Sequence, residues 1–283
     1  PANLLVVLDR SCSMTGAVTA TENKWQVAVA AMQKMTTLYK DRIRFGLTMF
    51  PDTDTDKCNQ GKIPVPVGPG NEAKISKLLT DALAKTDPNY PDGPCVTNID
   101  TAVQQASFEP AFKDKTRKSY ALLMSDGGQA GCSVAGGDTG TVKILGDMLA
   151  AGVPTFIVGF GKGVSAGPLN SFATAGGVPS ADPLKKYYEA DDAASLDKAL
   201  ATIASKTLGC TFSLSKTPPD ASKIYVFFDK TIEVPRDPSK ASGWEYDPAT
   251  NTVTFSGASC DDIKSGKVTD VAIVFGCNRP PPK

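Results

Sequence analysis

The sequence predicts a doubly wound α/β sheet, mostly parallel, followed by a small antiparallel β module. Two observations carry this expectation. From Leu4 to about Gly209, short β-rich runs alternate with amphipathic helical stretches, the pattern of a parallel sheet covered on both faces. After Gly209 the runs alternate apolar and polar residues between Pro, Asp and Gly turns, with no helical period separating them. A chain of 283 residues accommodates one domain of about 200 residues plus a smaller one. The expected domains are therefore 1–209 and 210–283.

The elements follow in order. Strands read at LLVVLD (4–9) and YALLMSD (120–126), whose runs 4–8 and 120–124 are apolar on both faces, as central strands should be. The other strands read at RIRFGLTMF (42–50), PTFIVGF (154–160) and KYYEA (186–190). KWQVAVAAMQKMTTLYK (24–40) places Trp25, Ala28, Val29, Met32 and Met35 on one helical face; NEAKISKLLTDALAK (71–85) does so with Ile75, Leu78, Leu79 and Leu83, and SLDKALATIASK (195–206) with Leu196, Leu200 and Ile203. These stripes are core-packing faces. GKIPVPVG (61–68) alternates but holds Pro64 and Pro66, which confine it to a sheet edge. Gly152, Gly176 with Gly177, and Gly209 each follow a helical stretch, where a left-handed cap is wanted. In the C-terminal module, strands read at 211–215, 223–228, 250–255 and 269–276, with Asp247–Asn251 as a hairpin loop. Trp244 and Tyr246 read as packing residues, not a sugar platform. The closing PPPK reads as a linker.

Composition narrows the chemistry. Lys plus Arg equals Asp plus Glu at 30 each, which argues against nucleic acid or an anionic membrane as the main partner. There is no histidine. Ser-His-Asp and Cys-His catalysis, His-ligated metals and imidazole switches are thereby excluded. Seven cysteines (12, 58, 95, 132, 210, 260 and 277) with no C-x-x-C spacing predict disulfides and an oxidising compartment, and the odd count leaves at least one cysteine unpaired or bonded outside the chain. No apolar run approaches the ~18 residues of a membrane span. A start at Pro1 without Met reads as processed or trimmed.

In an open α/β sheet, ligands bind beyond the carboxyl ends of the strands, where strand order reverses. The first strand exits into Asp9-Arg10-Ser11-Cys12-Ser13, the strand ending near Asp126 into Ser125-Asp126-Gly127-Gly128, and the loop GPCVTNIDTAV (93–103) carries Thr97 just before a helix. Taken singly, Asp9 with Ser11 and Ser13 reads as a nucleophile, a helix cap or a metal site; Thr97 reads as a cap and Asp126-Gly127 as a turn. Together they set two carboxylates and three hydroxyls at one edge of one sheet. That all-oxygen set suits Mg²⁺, with Mn²⁺ or Ca²⁺ as alternatives. Two aspartates balance the ion's charge while the hydroxyls donate little electron density. The ion would stay electrophilic toward one further anionic ligand.

D-x-S-x-S after the first strand, a Thr before the helix that leads into the next central strand, and Asp-Gly at that strand's end resemble the von Willebrand factor A domain and its metal-ion-dependent adhesion site. The resemblance covers roughly residues 2–208. It implies a Rossmann-like, doubly wound sheet of six strands, in which 61–68 is an antiparallel edge strand joined to 42–50 by a hairpin. It further implies that Ser11, Ser13 and Thr97 ligate Mg²⁺ through their hydroxyls, with Asp9 and Asp126 acting directly or through water. In adhesive members a Glu or Asp of the partner completes the metal's shell. Position 12, commonly Gly in the family, is Cys here, so Cys12 is expected to be buried against the loop or bonded. Soft thiolate does not suit hard Mg²⁺.

Under this topology Cys58 and Cys95 both lie on the metal-bearing face and are expected to pair, while Cys132, which closely follows Asp126, is within reach of Cys12. Two such bridges would staple the metal loops. Cys210 and Cys277 open and close the β module and are expected to bridge it, with Cys260–Cys277 as the competing pair.

The expected function is that of a non-enzymatic, secreted or surface-exposed adhesion module. It would capture a Glu or Asp carboxylate of a protein or matrix partner at a Mg²⁺ site, in an extracellular, cell-surface or periplasmic setting. Its specificity would lie in loops 52–60, 88–96 and 128–140. Two alternatives stand beside it: a Mg²⁺-dependent hydrolase or phosphoryl-transfer enzyme with Asp9 as nucleophile, and a scaffold whose metal is structural. Arg10 is expected to point away from Asp9 if both continue the strand.

Overall fold

The computed structural model describes residues 1–52, 57–91, 93, 95–264, 267, 268 and 270–276. Their contacts divide the chain into two compact units, Pro1–Ile203 and Ala204–Lys283.

The first unit is built on strands β1 (Ala2–Asp9), β2 (Ile43–Phe50), β3 (Ser119–Ser125), β4 (Thr155–Phe160) and β5 (Tyr188–Ala190). They lie in the order β2-β1-β3-β4-β5, every pair parallel. Helix α1 (Lys24–Leu38) joins β1 to β2, α2 (Glu72–Asp81) and α3 (Ile99–Ser107) lie between β2 and β3, and α4 (Gly137–Ala150), α5 (Ala166–Gly176) and α6 (Ala193–Thr207) follow β3, β4 and β5 in turn. The chain runs outward from β1 to β2 and then returns past β1 to β3. Winding thus reverses between β1 and β3, and their carboxyl ends flank the switch point. From Asn3 to Asp9 every residue of β1 is buried, as its unbroken apolar run requires. One core face joins Leu5, Val7, Leu123 and Ile157 of the sheet to Ile99, Leu145 and Phe172 of the covering helices.

Helix α1 buries the predicted Trp25, Ala28, Val29, Met32 and Met35, and Asn23 opens it by exchanging hydrogen bonds with Gln26. Helix α2 ends at Asp81, sooner than its periodicity suggests, because Leu83 N–H turns back to the Thr80 carbonyl; Leu83 is consequently 39% exposed. Gly152 and Gly177 take the expected left-handed conformation after α4 and α5. Gly209 does not, and the end of α6 is instead satisfied by Leu208 N–H reaching the Ala204 carbonyl at 2.9 Å.

The expected sixth, antiparallel strand shrinks to a single bridge between Leu47 and Val65. Val65 exchanges both backbone hydrogen bonds with Leu47, at 2.8 and 3.2 Å, but Pro64 and Pro66 on either side have no N–H and cannot extend the ladder. Gly46 lets this segment come close, since a Cβ there would lie 2.7 Å from Val67 Cγ2.

The second unit holds two three-stranded antiparallel sheets, β6-β10-β9 and β11-β7-β8, from β6 (Thr211–Ser213), β7 (Ile224–Phe228), β8 (Ile232–Val234), β9 (Gly243–Asp247), β10 (Thr252–Ser256) and β11 (Val271–Phe275). Asp247 to Asn251 forms the predicted hairpin, and Asn251 takes the positive φ the turn needs. One core spans both sheets, with Phe228 and Phe255 rings 5.5 Å apart. Trp244 and Tyr246 pack inside it, and Trp244 Nε1 donates to the Val234 carbonyl at 2.8 Å. The unit is not all-β as expected: helix α7 (Gly257–Lys264) interrupts it. Only Ile263 of α7 is buried, so no helical period marked it in the sequence. Among the described residues no helix is long and apolar enough to cross a membrane.

Candidate metal centre

β1 delivers Asp9 to the switch point, and the chain then turns sharply. Ser11 N–H donates to Asp9 Oδ1 at 2.7 Å and Met14 N–H to the Ser11 carbonyl at 2.9 Å, folding Cys12–Thr15 into one 3-10 turn. That turn sets Ser11 Oγ 3.0 Å from Ser13 Oγ. Ser13 in turn donates to Asp126 Oδ1 at 2.7 Å. Since Ser13 has one proton and gives it to Asp126, the proton between the two serines belongs to Ser11. Asp126, just past β3, also accepts Lys24 Nζ on Oδ2 at 2.6 Å. Four of the five predicted residues, Asp9, Ser11, Ser13 and Asp126, therefore form one hydrogen-bonded chain across the ends of β1 and β3.

Both carboxylates are buried. Burial first, and then the negative charge of Asp126, pushes the Asp9 pKa up to about 6, against the opposing pull of hydrogen bonds from Ser125 and Ser11. Ionised Asp9 is thus held at an energetic cost that a nearby cation would relieve. Among the described residues no three Asp, Glu, Cys or His side chains cluster as a metal site. The donors here are two carboxylates and neighbouring hydroxyls, all oxygen, and that set fits a hard divalent ion.

Thr97 reaches this end of the sheet by another route. Its backbone pairs with Ala130, N–H to carbonyl at 2.9 and 3.0 Å, which ties the Thr97 loop to the one leaving Asp126. Its hydroxyl takes no part in the Asp9-to-Asp126 chain of hydrogen bonds.

The residue that holds these loops together is Asp100, in the first turn of α3 and fully buried. Its Oδ1 accepts Thr101 N–H and Gln129 Nε2, at 2.8 and 2.7 Å, and its Oδ2 accepts Ala135 N–H and Gly137 N–H, at 2.8 and 3.0 Å. One carboxylate thereby fixes the 128–136 loop and the start of α4, where negative charge is favoured. Asp100→Ala is expected to destabilise the fold by about 3 kcal/mol or more, because four donors lose their acceptor; denaturant unfolding measures it.

The disulfides join the expected loops with exchanged partners. Cys12 bonds Cys95 and Cys58 bonds Cys132, in place of 58–95 and 12–132. Past its pairing with Thr97, the 128–132 segment runs over the start of α3, where Gln129 Nε2 holds the Cys132 carbonyl and Thr101 Oγ1 the Cys58 carbonyl. Cys95, on the other side of Thr97, is left beside Cys12, with Cα atoms 4.9 Å apart. In the second unit Cys210 bonds Cys260, not Cys277, which lies outside the described residues.

Three participants were not singled out from the sequence. Ser125 donates to Asp9 Oδ2 at 2.5 Å, Asp100 holds the loops, and Lys24 pairs with Asp126. Asp100 had a local signal, an acid in the first turn of a helix. Lys24 had none, since its partner lies 102 residues away.

No family model matches the chain, and no curated protein matches it. Solved structures do. BatB from Bacteroides thetaiotaomicron is similar over 73% of this chain and 98% of its own, at 15% identity and a TM-score of 0.54. A von Willebrand factor type A protein from Catenulispora acidiphila matches over 90% of this chain and 54% of its own, at 12% identity and a TM-score of 0.53. The pilus adhesin SpaC from Lactobacillus rhamnosus GG matches over 92% and 38%, at 13% identity and a TM-score of 0.53. At these identities the likeness is one of fold, and with the strand order and switch-point geometry above it shows that this chain carries the von Willebrand factor A fold.

Proposed function

We propose that the protein is a secreted or surface-exposed binding module. Asp9, Ser11, Ser13, Thr97 and Asp126 hold Mg²⁺, with Mn²⁺ or Ca²⁺ as alternatives, and the ion captures a Glu or Asp carboxylate of a protein or matrix partner. The observation that carries this reading is the hydrogen-bonded convergence of Asp9, Ser11, Ser13 and Asp126 at the switch point. A bound divalent ion supplies one electrophilic position for an anionic oxygen. The chain's own residues do the rest: they fix the donors, and Cys12–Cys95 and Cys58–Cys132 bind the surrounding loops to one another. Specificity then belongs to those loops, 52–60, 88–96 and 128–140. The three disulfides among the described residues are in keeping with an oxidising, extracellular setting, and the pilus adhesin SpaC shares the fold.

A nucleophilic role for Asp9 fits the geometry less well. Asp9 is fully buried and both of its oxygens already accept hydrogen bonds, from Ser11 N–H and Ser125 Oγ. Arg10 donates to the Pro88 carbonyl at 3.0 Å.

Mg²⁺ at about a hundredfold excess over its Kd is expected to raise the unfolding free energy by about 2.7 kcal/mol, seen as a rise of several degrees in Tm that chelator reverses and Ser11→Ala abolishes. With Mn²⁺ bound, added acetate should lower the water-proton relaxivity by displacing a metal-bound water. An unchanged Tm would sink the metal site. A Tm rise with unchanged relaxivity would leave a structural ion and refute carboxylate capture.

A further inference from the structure

Lys24 sits where a divalent ion's charge is wanted. It is the first residue of α1, after the capping Asn23, and its N–H donates to the Gly16 carbonyl at 2.9 Å. From there its side chain crosses to Asp126, with Nζ 2.6 Å from Oδ2. The pair is buried, with Lys24 18% and Asp126 1% exposed in their side chains. It is therefore unlike the protein's exposed pairs such as Lys77–Asp81. The backbone makes room for this path. Gly161, at φ +108°, follows β4 and is tied to β5 through the Ala190 carbonyl at 2.7 Å. A Cβ on Gly161 would lie 2.8 Å from Lys24 Cε and 3.3 Å from Nζ, and one on Gly16 would lie 3.6 Å from Cε. Two glycines from separate loops line the lysine stem.

We infer that Lys24 is a tethered cation that competes with the divalent ion for Asp126 and so sets the affinity of the site. This rests on the metal reading proposed above. Asp9 and Asp126 carry two negative charges and Lys24 one positive, so the site without a metal keeps a net charge of −1. Entry of a divalent ion beside an ammonium already bonded to Asp126 brings like charges together in a buried setting. The lysine must then give up Oδ2 or be tolerated at a cost in affinity. In exchange, Lys24 stabilises the form without a metal by satisfying a buried carboxylate that would otherwise face Asp9 unpaired.

The test compares the wild-type chain with Lys24→Met, which keeps the stem and removes the charge, and with Lys24→Arg, which keeps the charge. Mn²⁺ affinity is read by electron paramagnetic resonance, and Tm is read in chelator and in Mg²⁺. Lys24→Met is expected to bind Mn²⁺ about tenfold more tightly than wild type, while Lys24→Arg stays close to wild type. In chelator the Met variant should melt lower than wild type, and Mg²⁺ should raise its Tm by more. Lys24→Gln asks the same question should the Met variant not fold. Equal or weaker Mn²⁺ binding by the charge-removed variants, with wild type binding normally, overturns the competition. Failure of every chain to bind Mn²⁺ refutes the metal reading and the competition with it.

Discussion

Asp126→Asn is expected to weaken Mg²⁺ binding about a hundredfold, or about 2.7 kcal/mol. The substitution keeps the size of the side chain and an acceptor for Ser13 Oγ, which now donates to Asp126 Oδ1 at 2.7 Å. It removes half of the site's negative charge. It also strips Lys24, whose side chain is only 18% exposed, of its carboxylate and leaves its ammonium facing a neutral amide. Both changes disfavour a divalent ion, the first by lost attraction and the second by an uncompensated positive charge. Calorimetric titration with Mg²⁺ measures the effect, and an affinity within a few-fold of wild type would remove Asp126 from the ligand set. The sign is opposite to that expected for Lys24→Met. Both variants delete one partner of the same ion pair, so a merely structural pair would give losses in both.

Replacing Cys12 and Cys95 together by Ser is expected to cost about 4.5 kcal/mol of stability, the chain-entropy value for a bridge that closes a loop of this span. The bridge links positions 83 residues apart and joins the turn bearing Ser11 and Ser13 to the Thr97 loop. Without it, the Thr97 loop keeps its backbone pairing with Ala130 and the anchoring of its following helix by Asp100. Metal affinity should nonetheless fall, because the turn bearing Ser11 and Ser13 is no longer tied to that loop. Denaturant unfolding of the double variant beside wild type gives the stability term. A difference below about 1 kcal/mol would show that the loops hold their places through hydrogen bonds alone.

The central strands and the polar residues at their carboxyl ends were legible in the sequence because their causes are local. An apolar run buried on both faces must be a central strand, and the polar residues at its end must emerge at a sheet edge. Asp9, Ser11 and Ser13 are therefore placed by LLVVLD and Asp126 by YALLMS, through periodicity alone. Elements with a weak local signal were missed. β8 is three residues long, and α7 buries a single side chain. Alternation at 61–68 suggests a longer edge strand than forms, because the two prolines permit one bridge only.

What the sequence by itself determined is the parallel sheet, its switch point and the carboxylate and hydroxyl side chains that meet there, since these follow from burial patterns within single segments. The tertiary structure alone decided the pairings: Cys12 with Cys95, Cys58 with Cys132, Cys210 with Cys260, and Lys24 with Asp126. Each of these joins positions at least 50 residues apart. Loop closure at such separations depends only weakly on how far apart the residues lie in the chain, so spacing carries almost no information about who meets whom. The partner is chosen by which loop passes closest once the sheet has formed. The Thr97–Ala130 pairing decided it here, by carrying Cys132 past Thr97 to Cys58 and leaving Cys95 to Cys12.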